Sequence, residues 1–600
     1  MSWKNEVKKA MEMHIAARQS GETSAVIETY SNDWTDSKGF TKESLRDGHL
    51  AFTTGATSED VEINLDRAKL TKINDVVTYS PITIHTSKGT ITYAYSLKKE
   101  VDGIWRIIFT KTLNWEPFPM TKDMKALKDN LDNTAMIVRE HRESLLQDKF
   151  RPTYHFNTPE GYASPFDPNG AIFWKGKYHL FYIFQDTRSG EKSDHWGHVS
   201  SIDLLHWRHH PTHLLQGMYS GNCFINEEGV PTMCYHQVNL GNSLAIALDD
   251  NLDHWEKLSS NPITPHTEKG DKHHNKYRSW DPFGWYDGEF YYSIFGGERP
   301  AIAKSQKMEG PWKYVGDLFA HELEGVSINE DVSCAELFKL GNKHILLCIS
   351  HRLGCRYYVG EWKNEQFYPE FHSEMSWVDN MFFAPESLTS GDGRRIMWAW
   401  ILDYRDFEEK AKTQWSGTLS LPRVLTLNDQ GTLDIDVVKE IENLRYQPFE
   451  LSPFIIKENS EIDIEGLSGN NFELIIEFKK TDAKEFGVKI CNSPDGDETT
   501  MVFYDTTEKK LKVDSTKSSS GRSSGSVESA PLELGSTEGL KLRIFVDKSI
   551  VEVFANSRQA IARHIFPKNE NSTGVKVFSK NADTLITKFE SWQIAPSNPY

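Results

Sequence analysis

Residues 162–185 read YASPFDPNGAIFWKGKYHLFYIFQ and contain a turn, an apolar strand, a tight Lys-Gly turn and a second apolar strand. Similar strand–turn–strand units recur in WDPFGWYDGEFYYSIFGG (280–297), CAELFKLGNKHILLCIS (334–350) and RRIMWAWI (394–401). Repetition of such a unit at blade-like spacing is typical of a β-propeller. The pattern therefore predicts a propeller over residues 151–440.

The segments on either side have different patterns. The sequence WKNEVKKAMEMHIAARQ (3–19) has an apolar helical face and is followed by strand-like runs, which predicts a small α+β, cone-like domain over 1–118. A charged helical linker is predicted at 119–150. Alternating segments such as FELIIEF (472–478) predict a C-terminal β-sandwich over 441–600. The predicted fold class is therefore mainly β.

Composition excludes several functions. The 600 residues carry a formal net charge of −18, which argues against nucleic acid and against an anionic membrane surface. The chain has six cysteines without a CxxC pair, and it begins without the apolar stretch of a secretory signal. These features predict a soluble cytoplasmic protein with free thiols. The 17 Trp, 22 Tyr and 32 Phe suit β-rich cores and stacking on sugars.

Acidic residues open three of the predicted inner strands. Asp167 and Asp281 each precede a proline and a strand, and a third acidic turn lies in INEDVSCAELF (328–338). Because inner strands of a propeller converge on one central funnel, these carboxylates are expected to meet there. Three carboxylates suit glycoside cleavage, in which one attacks, one stabilises the developing charge and one protonates the leaving oxygen.

The sequence motifs around these acidic residues resemble those of glycoside hydrolase family 32, the β-fructofuranosidases. The matching stretches keep the family's order through 151–600: FDPNG, HWGHVSSIDLLHW, YSGNCF, WDPFGWYDG, SCAELFKL, FFAPESL and LRIFVDKSIVEVFAN. The resemblance implies a five-bladed propeller, an appended sandwich, and cleavage of β-D-fructofuranosyl linkages with retention of configuration and no cofactor. By element order alone, residues 1–118 resemble the nuclear-transport-factor-2-like (SnoaL-like) superfamily, which suggests an accessory module and a possible homodimer.

The resemblance also assigns roles to individual residues. Asp167 matches the nucleophile and Asp281 the carboxylate that stabilises the transition state. Gln185, Trp196 and Ser220 match sugar contacts, although Trp196 could equally be a core ring between blades. Asp203, His206 and Trp207 match positions that we interpret as structural.

Three positions depart from the family pattern. Phe166 replaces the Asn before the nucleophile. Trp280 replaces the Arg before the stabilising Asp, although Arg278 stands two residues earlier and could point the same way. Ser333 replaces the acid/base Glu, and a serine cannot protonate a poor leaving group at neutral pH.

A replacement acid is sought among Asp331, Glu330 and Glu386. Asp331 shares a strand face with Ser333, the long side chain of Glu330 could extend into the site from the end of a loop, and Glu386 stands where a Gln is expected in relatives. Together with Gln185, Trp196 and Ser220, the residues Arg278, Trp280 and Glu386 are predicted to bind the substrate. The chain could instead lack an acid. Two alternatives to a fructosidase therefore stay open: a hydrolase or transferase for another furanoside or a difructose substrate, and a sugar-binding protein without catalysis.

Two further patterns have simpler interpretations. HHPTH (209–213) and DKHHNKY (271–277) are rich in histidine but lack matching carboxylates or cysteines, so we predict no metal site. Cys334 and Cys348 fall in predicted strands, where core packing is expected. The predicted partner is a small saccharide substrate.

Overall fold

The computed structural model describes residues 2–45, 62–65, 67–86, 89–116, 122–157, 166–185, 194–211, 214–413, 415–519 and 525–598. The chain divides into two compact units, Met1–His141 and Arg142–Tyr600. The predicted boundary at 118/119 lies outside the described residues. Among the residues that are described, helices long and apolar enough to cross a membrane are absent.

The first unit combines short helices with one curved sheet. Its helices are α1 (Trp3–Ser20), α2 (Thr23–Glu28) and α3 (Lys42–Ser44). Its strands are β1 (Tyr30–Asp36), β2 (Glu62–Asn64), β3 (Lys69–Ile73), β4 (Val76–Thr86), β5 (Gly89–Lys99) and β6 (Trp105–Glu116). They form a sheet in the order β1-β6-β5-β4-β2, with β3 paired to β4. Val7 and Met11 of α1 pack with Tyr95 and Ile107 of the sheet, because their spacing of four places them on one helical face.

A helix at Lys122–Gln147 follows this sheet. Its described side chains from 126 to 140 are exposed. This agrees with the charged composition of the segment, which offers no broad apolar face for burial.

The next part of the chain forms five successive antiparallel sheets. Their strands are β7 (Pro168–Trp174), β8 (Lys177–Gln185), β9 (Asp194–Ser201) and β10 (Arg208–His209); β11 (Met218–Ile225), β12 (Pro231–Gln237), β13 (Gly241–Ala247), β14 (Trp255–Lys257) and β15 (Thr264–Pro265); β16 (Pro282–Tyr286), β17 (Tyr291–Phe295), β18 (Ala301–Ser305) and β19 (Lys313–Asp317); β20 (Ser333–Leu340), β21 (Lys343–Ser350), β22 (Gly354–Lys363) and β23 (Gln366–Glu374); and β24 (Phe382–Thr389), β25 (Arg395–Ile401), β26 (Thr418–Leu419), β27 (Arg423–Leu427) and β28 (Leu433–Val437). A helix at Phe407–Thr413 and a 3-10 helix at Lys439–Leu444 complete this region.

The first strands of these sheets contact one another in a cycle: β7 with β11, β11 with β16, β16 with β20, β20 with β24, and β24 with β7. Asparagine side chains form hydrogen bonds between neighbouring first strands of this cycle. Asn169 accepts a hydrogen bond from Gly221 N (3.0 Å), and Asn222 bonds both the N–H and the carbonyl of Gly284 (2.7 and 2.9 Å). Within its own sheet, Gly221 permits the close pairing of β11 with β12, since an added Cβ would lie 2.0 Å from the Cys234 carbonyl oxygen. The cycle brings the starts of the five strands to one place.

Two larger sheets follow. One has the order β29-β41-β32-β37-β38-β39 with β30 on β41, and the other has the order β31-β40-β33-β34-β35-β36. Their strands are β29 (Arg445–Leu451), β30 (Phe454–Ile456), β31 (Ser460–Ser468), β32 (Asn471–Phe478), β33 (Glu485–Asn492), β34 (Thr499–Asp505), β35 (Lys510–Lys517), β36 (Val527–Pro531), β37 (Leu540–Asp547), β38 (Ile550–Ala555), β39 (Gln559–His564), β40 (Gly574–Lys580) and β41 (Thr584–Ile594). Apolar side chains of both sheets share one core. The mainly β architecture is consistent with a propeller followed by a sandwich.

A buried ionic cluster connects the two parts of the second unit. Asp547 of β37 accepts hydrogen bonds from the backbone N–H groups of Thr153, Tyr154 and His155 (2.6, 2.9 and 2.9 Å). The His155 ring donates from Nδ1 to Asp547 (3.0 Å) and from Nε2 to Glu552 (3.2 Å). Burial alone would lower the pKa of His155, but these two carboxylates outweigh it and raise the pKa to about 9. The cluster ties the start of the five-sheet region to the sandwich.

Candidate active site

Asp167 lies directly before β7, at the inner end of the first of the five sheets. Its side chain is 6% exposed. Oδ2 accepts a hydrogen bond from Ser220 Oγ (2.9 Å), whereas the buried Oδ1 has no hydrogen-bond partner among the described residues. Asn169 Nδ2 donates to the Asp167 carbonyl (2.7 Å) and holds the turn. One carboxylate oxygen is thus fixed and the other is free.

Asp281 lies directly before β16, and Cys334 joins it to Asp167. Asp281 Oδ2 accepts a hydrogen bond from Cys334 N (3.0 Å), and its buried Oδ1 also lacks a partner within the described chain. The Cys334 Sγ lies 3.7 Å from Oδ2 of both aspartates. Cys334 also packs against an apolar core cluster, as expected for a strand cysteine, and Cys348 is buried in another. Sequence pattern alone missed the contact with the two aspartates because Cys334 adopts φ +48° at a β-bulge that redirects its side chain.

The two aspartates share a poorly solvated environment. Burial, and secondarily the charge of Asp281, raises the pKa of Asp167 to about 7. Burial also raises the pKa of Asp281 to about 6, against the Cys334 N–H that favours its charged form. Two neighbouring buried carboxyls with raised pKa values are typical of acid–base and nucleophilic sites.

Asp331 and Glu330 both form hydrogen bonds and ion pairs with other residues. Asp331 accepts hydrogen bonds from Ser333 Oγ (2.8 Å), His351 N (2.9 Å) and His351 Nδ1 (2.6 Å). Burial opposes its charge, but these donors prevail and lower the pKa of Asp331. Glu330 accepts from Ser350 Oγ (2.7 Å) and pairs with Arg352. Neither carboxylate is arranged as a free proton donor.

Glu386 lies on β24 and is buried. It is 4% exposed, and its Oε1 accepts a hydrogen bond from Ala171 N (2.6 Å). Burial and the neighbouring Glu336 raise its pKa well above the ordinary value. Arg395 pairs with Glu336 at 3.3 Å, so one arginine balances two buried carboxyls. The role of Glu386 as an acid or as a substrate contact stays a prediction.

The predicted sugar contacts separate into two groups. Ser220 touches the nucleophile candidate directly. Gln185 Nε2 donates to Asp194 Oδ1 (2.7 Å), and the charge of Asp194 acts on Asp167. Trp196 is 1% exposed and donates from Nε1 to the Tyr219 carbonyl (3.2 Å). Its packing is that of a core ring, the second of the two interpretations that the sequence allowed.

An aromatic group adjoins the carboxylates. The half-buried Trp280 lies 5.5 Å from Tyr219 and 4.6 Å from His236 between ring centroids. The Arg278 guanidinium stacks over Trp280 at 4.1 Å, and Gly297 leaves room for the arginine stem. Arg278 and Trp280 therefore act as one stacked pair. Sequence reasoning missed Tyr219 and His236, although Tyr219 directly precedes Ser220.

Phe166, the residue before Asp167, does not line the site. It is fully buried between Phe156 and Tyr182, with ring centroids 6.3 and 5.3 Å away. Gly417 accommodates this ring, because an added Cβ would lie 2.3 Å from it. Phe166, which replaces the family's Asn, thus belongs to the apolar core.

Histidines of the first two sheets form a second polar cluster. Among the described residues, His198, His210 and Asp253 place donor atoms within 4.8 Å of one another. The His198 and His210 rings stack at 4.1 Å, and His210 is hydrogen-bonded to Asp253 (2.6 Å) and Ser200 (2.7 Å). Burial lowers the pKa of both histidines, so they are neutral. Their stacking and hydrogen bonds describe a structural cluster.

Asp167 and Asp281 lie directly before the first strands of two of the five β-sheets, and glycosidases cleave their substrates with such a pair of carboxyl groups. Residues 155–435 match the family model described as "Glycosyl hydrolases family 32 N-terminal domain", and residues 440–593 match "Glycosyl hydrolases family 32 C terminal". The chain therefore belongs to glycosyl hydrolase family 32, and is an enzyme of the glycosidase class, β-fructofuranosidase-like.

Individual relatives agree with this assignment. The levanase of Bacillus subtilis is 28% identical over 490 residues, 74% of this chain and 70% of the relative. A sucrose-6-phosphate hydrolase of Zymomonas mobilis is 25% identical over 504 residues, 76% of this chain and 94% of the relative. The crystal structure of fructan 1-exohydrolase IIa from Cichorium intybus has a TM-score of 0.66 at 21% identity, covering 75% of this chain and 98% of that chain. This last likeness supports the fold.

Proposed function

We propose that the protein is a retaining glycosidase that cleaves β-D-fructofuranosyl linkages in sucrose, fructo-oligosaccharides or related fructosides. The observation that carries this proposal is the buried pair Asp167 and Asp281, which is linked through Cys334 and in which each aspartate has one oxygen without a partner in the described part of the chain. The printed names of the relatives, levanase and sucrose-6-phosphate hydrolase, support the substrate class.

In this proposal Asp167 Oδ1 attacks the anomeric carbon, while Ser220 keeps Oδ2 in place. A covalent fructosyl-enzyme forms and is then released by water, which gives retention of configuration. Asp281 stabilises the positive charge that develops on the ring and holds ring hydroxyls. Because the pKa of Asp167 is about 7 in the free protein, its reactive ionised fraction grows as the pH rises toward neutrality.

The cyclic contact of five first strands supports a five-bladed propeller as the scaffold. The domain boundaries at 118/119, 150/151 and 440/441 stay predictions. The nuclear-transport-factor-2-like character of residues 1–118, and a homodimer formed through them, stay predictions.

A second candidate is a hydrolase or transferase for another furanoside or a difructose substrate. It is favoured by the Arg278–Trp280 stack, because an aromatic plane occupies the position where the family carries an arginine. This change would alter the recognition of the sugar without altering the Asp167 and Asp281 pair.

The test is fructose release from sucrose, inulin-type and levan-type oligosaccharides by the wild type, Asp167→Ala and Asp281→Asn. We expect release by the wild type and a loss of at least about 10³-fold in kcat for Asp167→Ala, since a covalent nucleophile has no substitute. Asp249→Ala, at a half-buried aspartate that bonds its own loop, is the matched control. Ligand binding without release from any substrate would contradict the proposal and favour a sugar-binding protein.

A further inference from the structure

The proposed reaction needs a proton donor, and none of the three predicted carboxyls is free to supply it. Ser333 occupies the position of the usual acid, Asp331 is held by His351 and Ser333, and Glu330 is held by Ser350 and Arg352. The buried Glu386 bonds Ala171 N. The donor must therefore be a different group near Asp281.

His351 is the group that the geometry offers. It directly follows β21, whose Ile349 pairs with Ser333 at the start of β20. Its Nδ1 donates to Asp331 Oδ2 (2.6 Å), while Nε2 has no hydrogen-bond partner among the described residues. The ring side chain is 67% exposed and lies 6.0 Å from the Phe383 ring of β24, in an edge-on contact. The imidazole is therefore oriented by one nitrogen and accessible at the other.

We propose that His351, oriented by Asp331, is the acid/base of this enzyme in place of the missing glutamate. This inference rests on the proposed fructosidase function. It makes Asp331 a positioning residue and Ser333, which also bonds Asp331, a second one. An aspartate that holds a histidine by Nδ1 fixes its orientation and stabilises its protonated form, as in other acid–base pairs.

The two half-reactions balance with a single proton. In the first, Asp167 Oδ1 forms a bond to the anomeric carbon, the bond to the leaving oxygen breaks, and that oxygen takes the proton from His351 Nε2. In the second, neutral His351 Nε2 takes a proton from water as the water oxygen bonds the anomeric carbon and the bond to Asp167 breaks. His351 is then protonated again and Asp167 is ionised.

The charges around His351 favour the protonated starting state. The hydrogen bond that His351 donates to Asp331, and less strongly the charges of Asp331 and Asp281, raise the pKa of His351 against burial and the opposing charge of Arg278. His351 in turn favours the ionised form of Asp281. The adjacent Arg352 is paired with Glu330. The proposed reaction requires a protonated His351 together with an ionised Asp167, and the charge of Asp281 favours the protonated form of His351.

The test compares wild type, His351→Gln and Asp331→Asn on sucrose and on 4-nitrophenyl β-D-fructofuranoside, whose leaving group needs little protonation. We expect His351→Gln to lower kcat/KM on sucrose by about 10²- to 10⁴-fold, and on the aryl fructoside by less than about 10-fold. Asp331→Asn should shift the alkaline limb of the wild-type pH profile to lower pH, because His351 loses the partner that raises its pKa. His254→Gln, another exposed histidine held by an aspartate (Asp249, 2.8 Å), is the matched control and should leave both rates unchanged.

The outcomes separate the two proposals. Equal losses on both substrates, or an unchanged rate on sucrose after His351→Gln, would refute the role of His351 while Asp167 remained essential. Retained sucrose hydrolysis in Asp167→Ala, or no fructose release by the wild type, would refute the fructosidase itself and the inference with it.

Discussion

Replacing the proposed nucleophile by its neutral isostere should stabilise the protein. In the folded state burial and the neighbouring Asp281 disfavour the charge of Asp167, so that its pKa rises to about 7. In the unfolded chain the same carboxyl ionises near its ordinary value of 3.8. The folded state therefore binds an extra proton between these values, and the wild type loses stability as the pH rises through this window. Asp167→Asn removes that loss.

The magnitude follows from the pKa change. Each pKa unit corresponds to about 1.4 kcal/mol, so a rise from 3.8 to about 7 gives an upper bound of about 4 kcal/mol above pH 7. Water entering the site lowers this, and we expect about 1–3 kcal/mol. For the second unit of roughly 460 residues, 1 kcal/mol shifts Tm by about 1 °C. The variant should thus have a Tm about 1–3 °C above that of the wild type at pH 8. Below pH 4 the two proteins should have the same Tm.

Differential scanning calorimetry at several pH values between 3.5 and 8 measures this difference. Asp392→Asn is a control of opposite sign, because Arg394 and Ser390 lower the pKa of Asp392 to about 2. Its neutral variant should melt lower than wild type at neutral pH. If Asp167→Asn were equally or less stable than wild type at pH 8, or if its advantage did not vary with pH, the assignment of an unfavourable buried charge would be refuted.

Other substitutions test residues that support the site or the packing of the second unit. Ser220→Ala removes the hydrogen bond to Asp167 Oδ2 and should move the acid limb of kcat/KM upward by about 0.5–1 pH unit. Gly221→Ala places a Cβ 2.0 Å from the Cys234 carbonyl oxygen, and should cost about 3 kcal/mol or more in denaturant unfolding. Asp547→Ala leaves three buried N–H groups and a protonated imidazole without their acceptor, and should cost about 3–5 kcal/mol.

The controls for these variants are simple. Ser220→Thr, which keeps the hydroxyl, should leave the acid limb nearer to that of wild type, and equal shifts would contradict the hydrogen-bond explanation. Gly316→Ala, where an added Cβ meets nothing within 4 Å, should cost far less than Gly221→Ala, because the clash is absent. An Asp547→Ala protein with an unchanged unfolding midpoint would show that the link between the two parts of the second unit is not needed.

Local sequence patterns predicted the mainly β class and the repeated strand–turn–strand units. A strand is predicted from the apolar residues that lie close together in the chain. The apolar runs after Asp167 and Asp281 therefore predict strands without a structure. The placement of both aspartates directly before a first strand agrees with this pattern. The family assignment was also accessible, because the motifs keep their order along the chain.

The sequence by itself determined which residue types stand at the starts of the strands, including the absence of the usual acid at Ser333. Only the tertiary structure decided which partners those residues meet. Cys334 contacts both aspartates because of a bulge, Trp196 is enclosed by two sheets, and Asp331 is bound to His351, 20 residues away. Hydrogen bonding and burial depend on groups from separate sheets, and one-residue changes of register reverse the direction of a side chain. The chemistry of a carboxyl follows from those neighbours.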